Sequence, residues 1–134
     1  MELFRPEVKG DILYFDLDTV ITGDLRDIAK VDKLTILSDF YLPKRIQSAI
    51  MFLPEMDRPM MWQKWMTNPQ SHMQSFKGGD QDFMRQFWND CQRWQDILPG
   101  QVVSYKVHVK DQEFLSNARV VCFHGQPKPR DVTL

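Results

Sequence analysis

Residues 12–20 read ILYFDLDTV, an apolar run that ends on two carboxylates, Asp16 and Asp18, with one residue between them. A strand that stops on Asp-x-Asp holds two anionic oxygen groups side by side at the end of a sheet. Two chemistries use that arrangement. The first carboxylate can act as a nucleophile toward a phosphoryl group, as in a phosphatase. Alternatively the pair can hold a divalent cation against a diphosphate, as in the transfer of a sugar from a nucleotide.

The elements that must position these groups follow from local pattern. Asp11 to Asp16 reads as a strand of nearly continuous apolar character, as expected where both faces of a sheet are covered. Gly23-Asp24-Leu25 turns the chain into a short polar link over Leu25–Ile28, and Leu34–Phe40 and Gln47–Leu53 read as further strands. Asp57-Arg58-Pro59 supplies a cap and an early proline, so a helix starts there, with Met61, Trp62, Trp65 and Met66 on its core face. Thr67–Gly79 is rich in Asn, Pro, Ser and Gly and reads as a loop that leaves His72 without a role. From Asp80 to Leu98, apolar residues at Phe83, Met84, Phe87, Trp88, Cys91, Trp94 and Leu98 keep the spacing of one long amphipathic helix, which Pro99-Gly100 stops. Val102–Val109 and Arg119–His124 close the chain as strands.

Composition bounds the function. The 134 residues suit one compact domain without repeats, and 43% hydrophobic and 26% charged residues are ordinary for a globular protein. A net charge of −1 gives no electrostatic case for nucleic acid or an anionic membrane. No apolar run approaches the roughly 20 residues of a membrane span. The opening MELFRPEVKG lacks the apolar core of a signal peptide, so a cytoplasmic protein is expected. Cys91 and Cys122 both sit in apolar company and read as buried free thiols.

The Asp-x-Asp-x-Thr/Val pattern matches phosphatases of the haloacid dehalogenase kind, with Asp16 as nucleophile. That chemistry also needs a Ser or Thr after a second strand, which Ser38 supplies, and an acidic pair after another apolar strand. Asp80-Gln81-Asp82 follows the polar SHMQSFKGG instead, so the set is incomplete. The transferase set is fuller. In order, the chain shows Asp16-Leu17-Asp18, Gly23-Asp24-Leu25, Gln47-Ser48, Asp80-Gln81-Asp82, His124-Gly125 and Lys128-Pro129. In that order and spacing, from about Asp11 to Arg130, it resembles the glycosyltransferases of the GT-A fold, in particular the glycogenin-like and galactosyltransferase-like family eight. Arg130 stands where that family usually carries Trp.

The resemblance implies an α/β fold, a GT-A-like (Rossmann-like) mixed sheet flanked by helices. It also implies a Mn²⁺ or Mg²⁺ ion held by Asp16, Asp18 and His124, whose hard oxygens and imidazole suit such a cation. The ion would neutralise the charge that grows on a nucleotide-sugar's diphosphate as the sugar bond breaks. Lys128 would reach the leaving phosphate as a point charge, and Gly125 would let the diphosphate approach the backbone. Asp80 and Gln81 would face the sugar ring as the catalytic pair, with Gln47 and Ser48 lining its pocket. Asp80 also fits a helix N-cap or first-turn acid.

In that family the Asp-x-Asp strand follows several elements that cradle the base, whereas here it begins about ten residues from Met1. On that resemblance the chain is expected to correspond to the family's C-terminal, metal- and sugar-binding half. A sheet cut in this way should expose a parallel-strand edge and an apolar flank. A homodimer, with Met56–Met66 as the contact, or a partner chain should cover them. The other reading of the same residues is a non-catalytic binding or inhibitor protein on a degenerate glycosyltransferase scaffold.

Overall fold

The structure is a computed structural model and describes residues 1–110 and 116–133. It is a mixed α/β arrangement of two mixed sheets flanked by helices. The first sheet has strand order β1-β4-β3-β5, with β1 at Ile12–Phe15, β3 at Thr35–Ser38, β4 at Ile46–Leu53 and β5 at Gln92–Arg93. The second has order β2-β7-β6, with β2 at Thr19–Ile21, β6 at Val102–Ser104 and β7 at Val120–Cys122. The first sheet has two antiparallel pairs and one parallel pair, β3 with β5, and the second has one antiparallel pair and one parallel pair, β6 with β7.

The apolar run at β1 pairs antiparallel with β4, from Ile12 opposite Leu53 to Phe15 opposite Ile50. The sheet edge formed by β1 is therefore that of an antiparallel strand, and the parallel edges lie elsewhere, at β5 and β6. The run is apolar throughout because alternate residues serve two cores. Ile12 and Tyr14 pack on the cluster of Phe4, Ile36, Met51, Leu53, Met61, Phe83 and Trp88, while Leu13 and Phe15 pack on that of Ile50, Phe52, Trp94, Val120 and Cys122. The first cluster lies beneath α2 (Arg58–Met66) and α4 (Asp80–Met84), and the second lies between the sheets. The expected bare flank is thus covered on both faces. Phe4, 1% exposed, brings the N-terminal segment into this cover, and buried Arg58 ties it down by donating to the carbonyls of Leu3 and Gly10.

Several elements depart from their sequence patterns. The long helix expected over 80–98 is two short ones, α4 and α5 (Trp94–Ile97), with β5 between. Asn89 donates its side-chain amide to the Arg85 carbonyl, and Gln92 N–H turns to the Leu34 carbonyl of the neighbouring strand. The helical spacing survives because both short helices send their apolar residues toward the sheet. The expected loop 67–79 contains α3 (Pro69–Ser75), started by Asn68, whose side chain accepts from Ser71 N–H, and by Pro69 in the first turn. The polar link after Gly23 holds α1 (Arg26–Ala29). The strand expected over 102–109 stops at Ser104, and a π-helical turn spans Tyr105–Val109. Met66 is half exposed, unlike the core role expected of it, whereas Met61 is fully buried.

Strand β4 carries an irregularity that shapes the site. Ile36 of β3 pairs with Met51, but the next residue, Leu37, pairs with Gln47. Ser48, Ala49 and Ile50 therefore leave the ladder toward β3, as in a bulge. Their backbone groups find other partners. Ser48 N–H donates to Gln81 Oε1 at 3.0 Å, and Ala49 N–H to Gln47 Oε1 at 3.0 Å. The Ala49 carbonyl accepts from Asp16 N–H at 2.8 Å, and the Ile50 carbonyl accepts from the Trp94 indole at 3.1 Å.

Trp94 is fully buried in the inter-sheet core. Trp94→Ala should lower the free energy of unfolding by about 3–5 kcal/mol. Met56→Ala, at a side chain 92% exposed, should stay within about 0.5 kcal/mol. Urea denaturation of both variants checks the contrast, and equal small losses would contradict this core.

Candidate functional site

The Asp-x-Asp segment lies where the chain leaves one sheet and enters the other. Asp16 N–H is tied to β4 through Ala49, and the Asp18 carbonyl accepts from Phe123 N–H at the end of β7. Thr19 closes the turn between them, giving both its N–H and its hydroxyl to the Asp16 carbonyl. The two carboxylates thus sit on a short connection braced from both sheets, with Leu17 between them fully exposed.

Each carboxylate has a protein partner. The Tyr14 hydroxyl donates to Asp16 Oδ1 at 2.6 Å, and Lys128 Nζ pairs with Asp18 Oδ2. That bond, burial, and the nearby charges of Asp16 and Asp80 push the Tyr14 hydroxyl up to about 12, so it stays a donor at neutral pH. Burial, with a smaller contribution from Asp16, likewise raises Cys122 to about 12. Cys91 and Cys122 are both free thiols, with Cys122 buried and Cys91 partly so.

His124 follows β7 and lies on the wall of a 230 Å³ cleft with Asp39, Phe40, Tyr41, Gln47 and Gln81. Ser104 orients its ring. The Ser104 hydroxyl accepts from Val107 N–H at 3.3 Å and lies 2.7 Å from His124 Nε2, its one acceptor among the described residues. The hydroxyl proton therefore points at Nε2, and the ring proton belongs on Nδ1. The Ser104 N–H meanwhile donates to His108 Nδ1, and the Phe40 ring lies against both imidazoles. Burial depresses the affinity of both histidines for a second proton. The Lys106 ammonium adds to this at His124, and Asp39 opposes it.

The other residues singled out from sequence fall around the same region. Gln81 accepts from both the N–H and the hydroxyl of Ser48, so the first turn of α4 is pinned to the bulge of β4. Arg85 holds the same helix by donating to the Ile46 carbonyl and pairing with Asp82. Asp80 turns away from that cleft toward the Met1 ammonium at 3.4 Å. Gly125 has φ +69°, and a Cβ there would stand 3.2 Å from Lys106 Nζ. Lys128 and Asp18 line a neighbouring 320 Å³ cleft with Leu17, Pro129 and Arg130. Gln47, Gln81 and His124 thus share one cleft, while Asp18 and Lys128 share another.

Asp16, Asp18 and His124 do not form a three-ligand cage. Among the described residues no group of three or more His, Cys, Asp or Glu side chains could hold a metal ion. The two carboxylates still suit a cation of the Mg²⁺ type, which keeps waters and takes substrate phosphate oxygens beside one or two protein carboxylates. His124 enters its cleft as a neutral N–H donor.

Residues missed from sequence also contribute. Asp39 ends β3 much as Asp16 ends β1, so LTILSDF carried the same signal of an apolar strand running into an acid. Ser104 and Lys106 carried no such signal, because their role depends on a turn where alternating valines suggest a strand. No family model matches the chain, and no curated protein matches it.

The histidines give a pH dependence. Their folded-state affinity for protons is depressed, so the unfolded chain binds more protons as pH falls below the usual histidine value near 6.5. Their contribution to stability is full above that value and is lost as pH drops through the lower folded-state values. The melting temperature should fall between pH 7 and pH 5, and less steeply in His108→Gln/His124→Gln. Parallel slopes in the two proteins would contradict this assignment.

Proposed function

We propose that this chain is a glycosyltransferase-like protein of the GT-A kind that binds a nucleotide-sugar, or the diphosphate it releases, together with Mn²⁺ or Mg²⁺. The reading is supported chiefly by one observation. The Asp16–Asp18 connection is braced by both sheets beside Lys128, with Lys106 next to Gly125. Carboxylates for a cation and ammonium groups for phosphates then stand on neighbouring pieces of chain, as a metal–diphosphate pair requires. Asp16 and Asp18 would hold the ion, which supplies charge neutralisation at the diphosphate when bound.

The chain's own groups do the rest. Lys128 passes from Asp18 to a phosphate oxygen, and Gly125 admits the diphosphate close to the backbone. Gln47, Gln81 and Asp39 offer hydrogen bonds to sugar hydroxyls in the His124 cleft, where Phe40 and Tyr41 supply apolar ring surface. The His124 Nδ1–H donates without adding charge. A second reading, a binding or inhibitor protein without turnover, draws support from the partners both carboxylates already have in Tyr14 and Lys128. The free thiols fit a reducing, cytoplasmic setting, and no helix among the described residues is long and apolar enough to cross a membrane.

Uridine diphosphate with Mn²⁺ should bind in isothermal titration and raise the melting temperature. A hundredfold excess over Kd corresponds to roughly 2.7 kcal/mol. Asp18→Ala should abolish the shift. Lys128→Ala should weaken diphosphate binding while changing stability by no more than about 1 kcal/mol, the scale of an exposed ion pair. Unchanged affinity in both variants would sink the reading. Binding without sugar transfer or nucleotide-sugar hydrolysis would favour the non-catalytic alternative.

Self-association belongs to the same proposal. Met56, Met60 and Met66 are 92%, 46% and 51% exposed and form adaptable apolar surface beside buried Met61. Light scattering at micromolar concentration should show a homodimer that Met56→Lys/Met60→Lys disperses. A wild-type monomer of 15.9 kDa would refute it.

A further inference from the structure

The first turn of α4 separates two clefts. Gln81 looks into the His124 cleft, whereas Asp80, the residue before it, lines a larger one of 500 Å³. That volume falls within the roughly 300–1,000 Å³ typical of small-molecule sites. Trp65 of α2, His72 of α3 and Phe76, which caps α3, make an aromatic wall, with ring centroids 5.5 Å apart for Trp65–His72 and 6.1 Å for His72–Phe76. Buried Phe83 backs all three, at 5.2, 4.9 and 5.4 Å. The wall is held rigidly, because His72 Nδ1–H donates to the Trp65 carbonyl at 3.0 Å, leaving Nε2 as an acceptor without a protein partner among the described residues. Asp80 is exposed and accepts from the Met1 ammonium at Oδ2, which leaves Oδ1 unpaired among the described residues. Lys77 adds a donor, and Glu2 is already paired with Arg5.

This combination selects a ligand class. A purely apolar guest would leave Asp80 and Lys77 desolvated, and an ion would meet charges of both signs. A pyranose ring satisfies both kinds of surface. Its C–H face carries partial positive charge that suits the negative face of an aromatic ring, and its hydroxyls pair with a carboxylate, an imidazole nitrogen and an ammonium. We propose that the cleft bounded by Trp65, His72, Phe76 and Asp80 binds a neutral carbohydrate, the acceptor counterpart of the donor site. Its acceptor role rests on the glycosyltransferase reading; its affinity for sugar does not. Tyr14, whose hydroxyl bonds Asp16, packs on the same core cluster as Trp65 and Phe76.

The test is saturation-transfer NMR and titration of the full chain with maltose, cellobiose, lactose and N-acetylglucosamine, each with and without uridine diphosphate. At least one sugar should bind. His72→Ala and Phe76→Ala should each weaken it by about tenfold, with uridine diphosphate affinity unchanged. Sugar binding without uridine diphosphate binding would uphold the cleft and remove the donor-site reading. Failure of the whole panel would overturn the inference, whether or not the chain binds uridine diphosphate. So would equal sugar affinity in wild type and both variants, or a dimer that His72→Ala dissociates, which would make the cleft an interface between copies.

Discussion

The bulge in β4 is the constraint on which the rest of the structure depends. A central strand must pair on both edges, yet three of its residues are withdrawn from the β3 side. Backbone groups left unpaired in a partly buried region cost about 1–3 kcal/mol each, so the fold must bring partners to them. Gln81 arrives from α4, Gln47 folds back from the strand itself and Trp94 comes from α5, while on the opposite edge Asp16 carries the β1 pairing on to Ala49. Satisfying one irregular strand thus draws together the residues that line the candidate site. The structural role of Gln81 and Gln47 does not conflict with the ligand role proposed for them, because each uses its amide oxygen on the backbone and keeps its NH₂.

The second organising feature is the passage between sheets. The connection between β1 and β2 is only three residues long, so Asp16, Leu17 and Asp18 cannot relax into solvent as a long loop would. They are held at both ends by backbone hydrogen bonds. Each carboxylate is met by a group of the protein, a hydroxyl at Asp16 and an ammonium at Asp18. The tail that follows β7 carries that ammonium. Docking of the tail and neutralisation of the motif are therefore one event, and a ligand that draws Lys128 away must itself replace the positive charge at Asp18.

Ser104 links the second sheet to the cleft in a similar way. Its N–H and hydroxyl address two different imidazoles, and this sets a tautomer for each around the Phe40 ring. Burial keeps both rings neutral near pH 7, so the cleft carries polarity without added positive charge.

The sequence by itself determined what depends on near neighbours: the apolar β1 run and its terminal acids, the strand at Gln47–Leu53, the helix starting at Arg58 and the free state of the two thiols. These rest on residue chemistry and short periodicities, which act wherever the segment is placed. It also contained signals that composition obscured, such as Asn68-Pro69 as a helix start. Only tertiary structure decided the rest. Helical spacing over 80–98 is met equally well by one helix or by two short ones, and the pull of β3 on Gln92 chose the second. The alternation in 102–109 fits a strand until Ser104 caps a π-helical turn. Strand direction, the bulge, the pairing of Lys128 with Asp18 and the separate clefts beside Asp80 and Gln81 join residues far apart in the chain. No local preference specifies such contacts, because their free energy exists only once both partners have been brought together by the packing of the two cores.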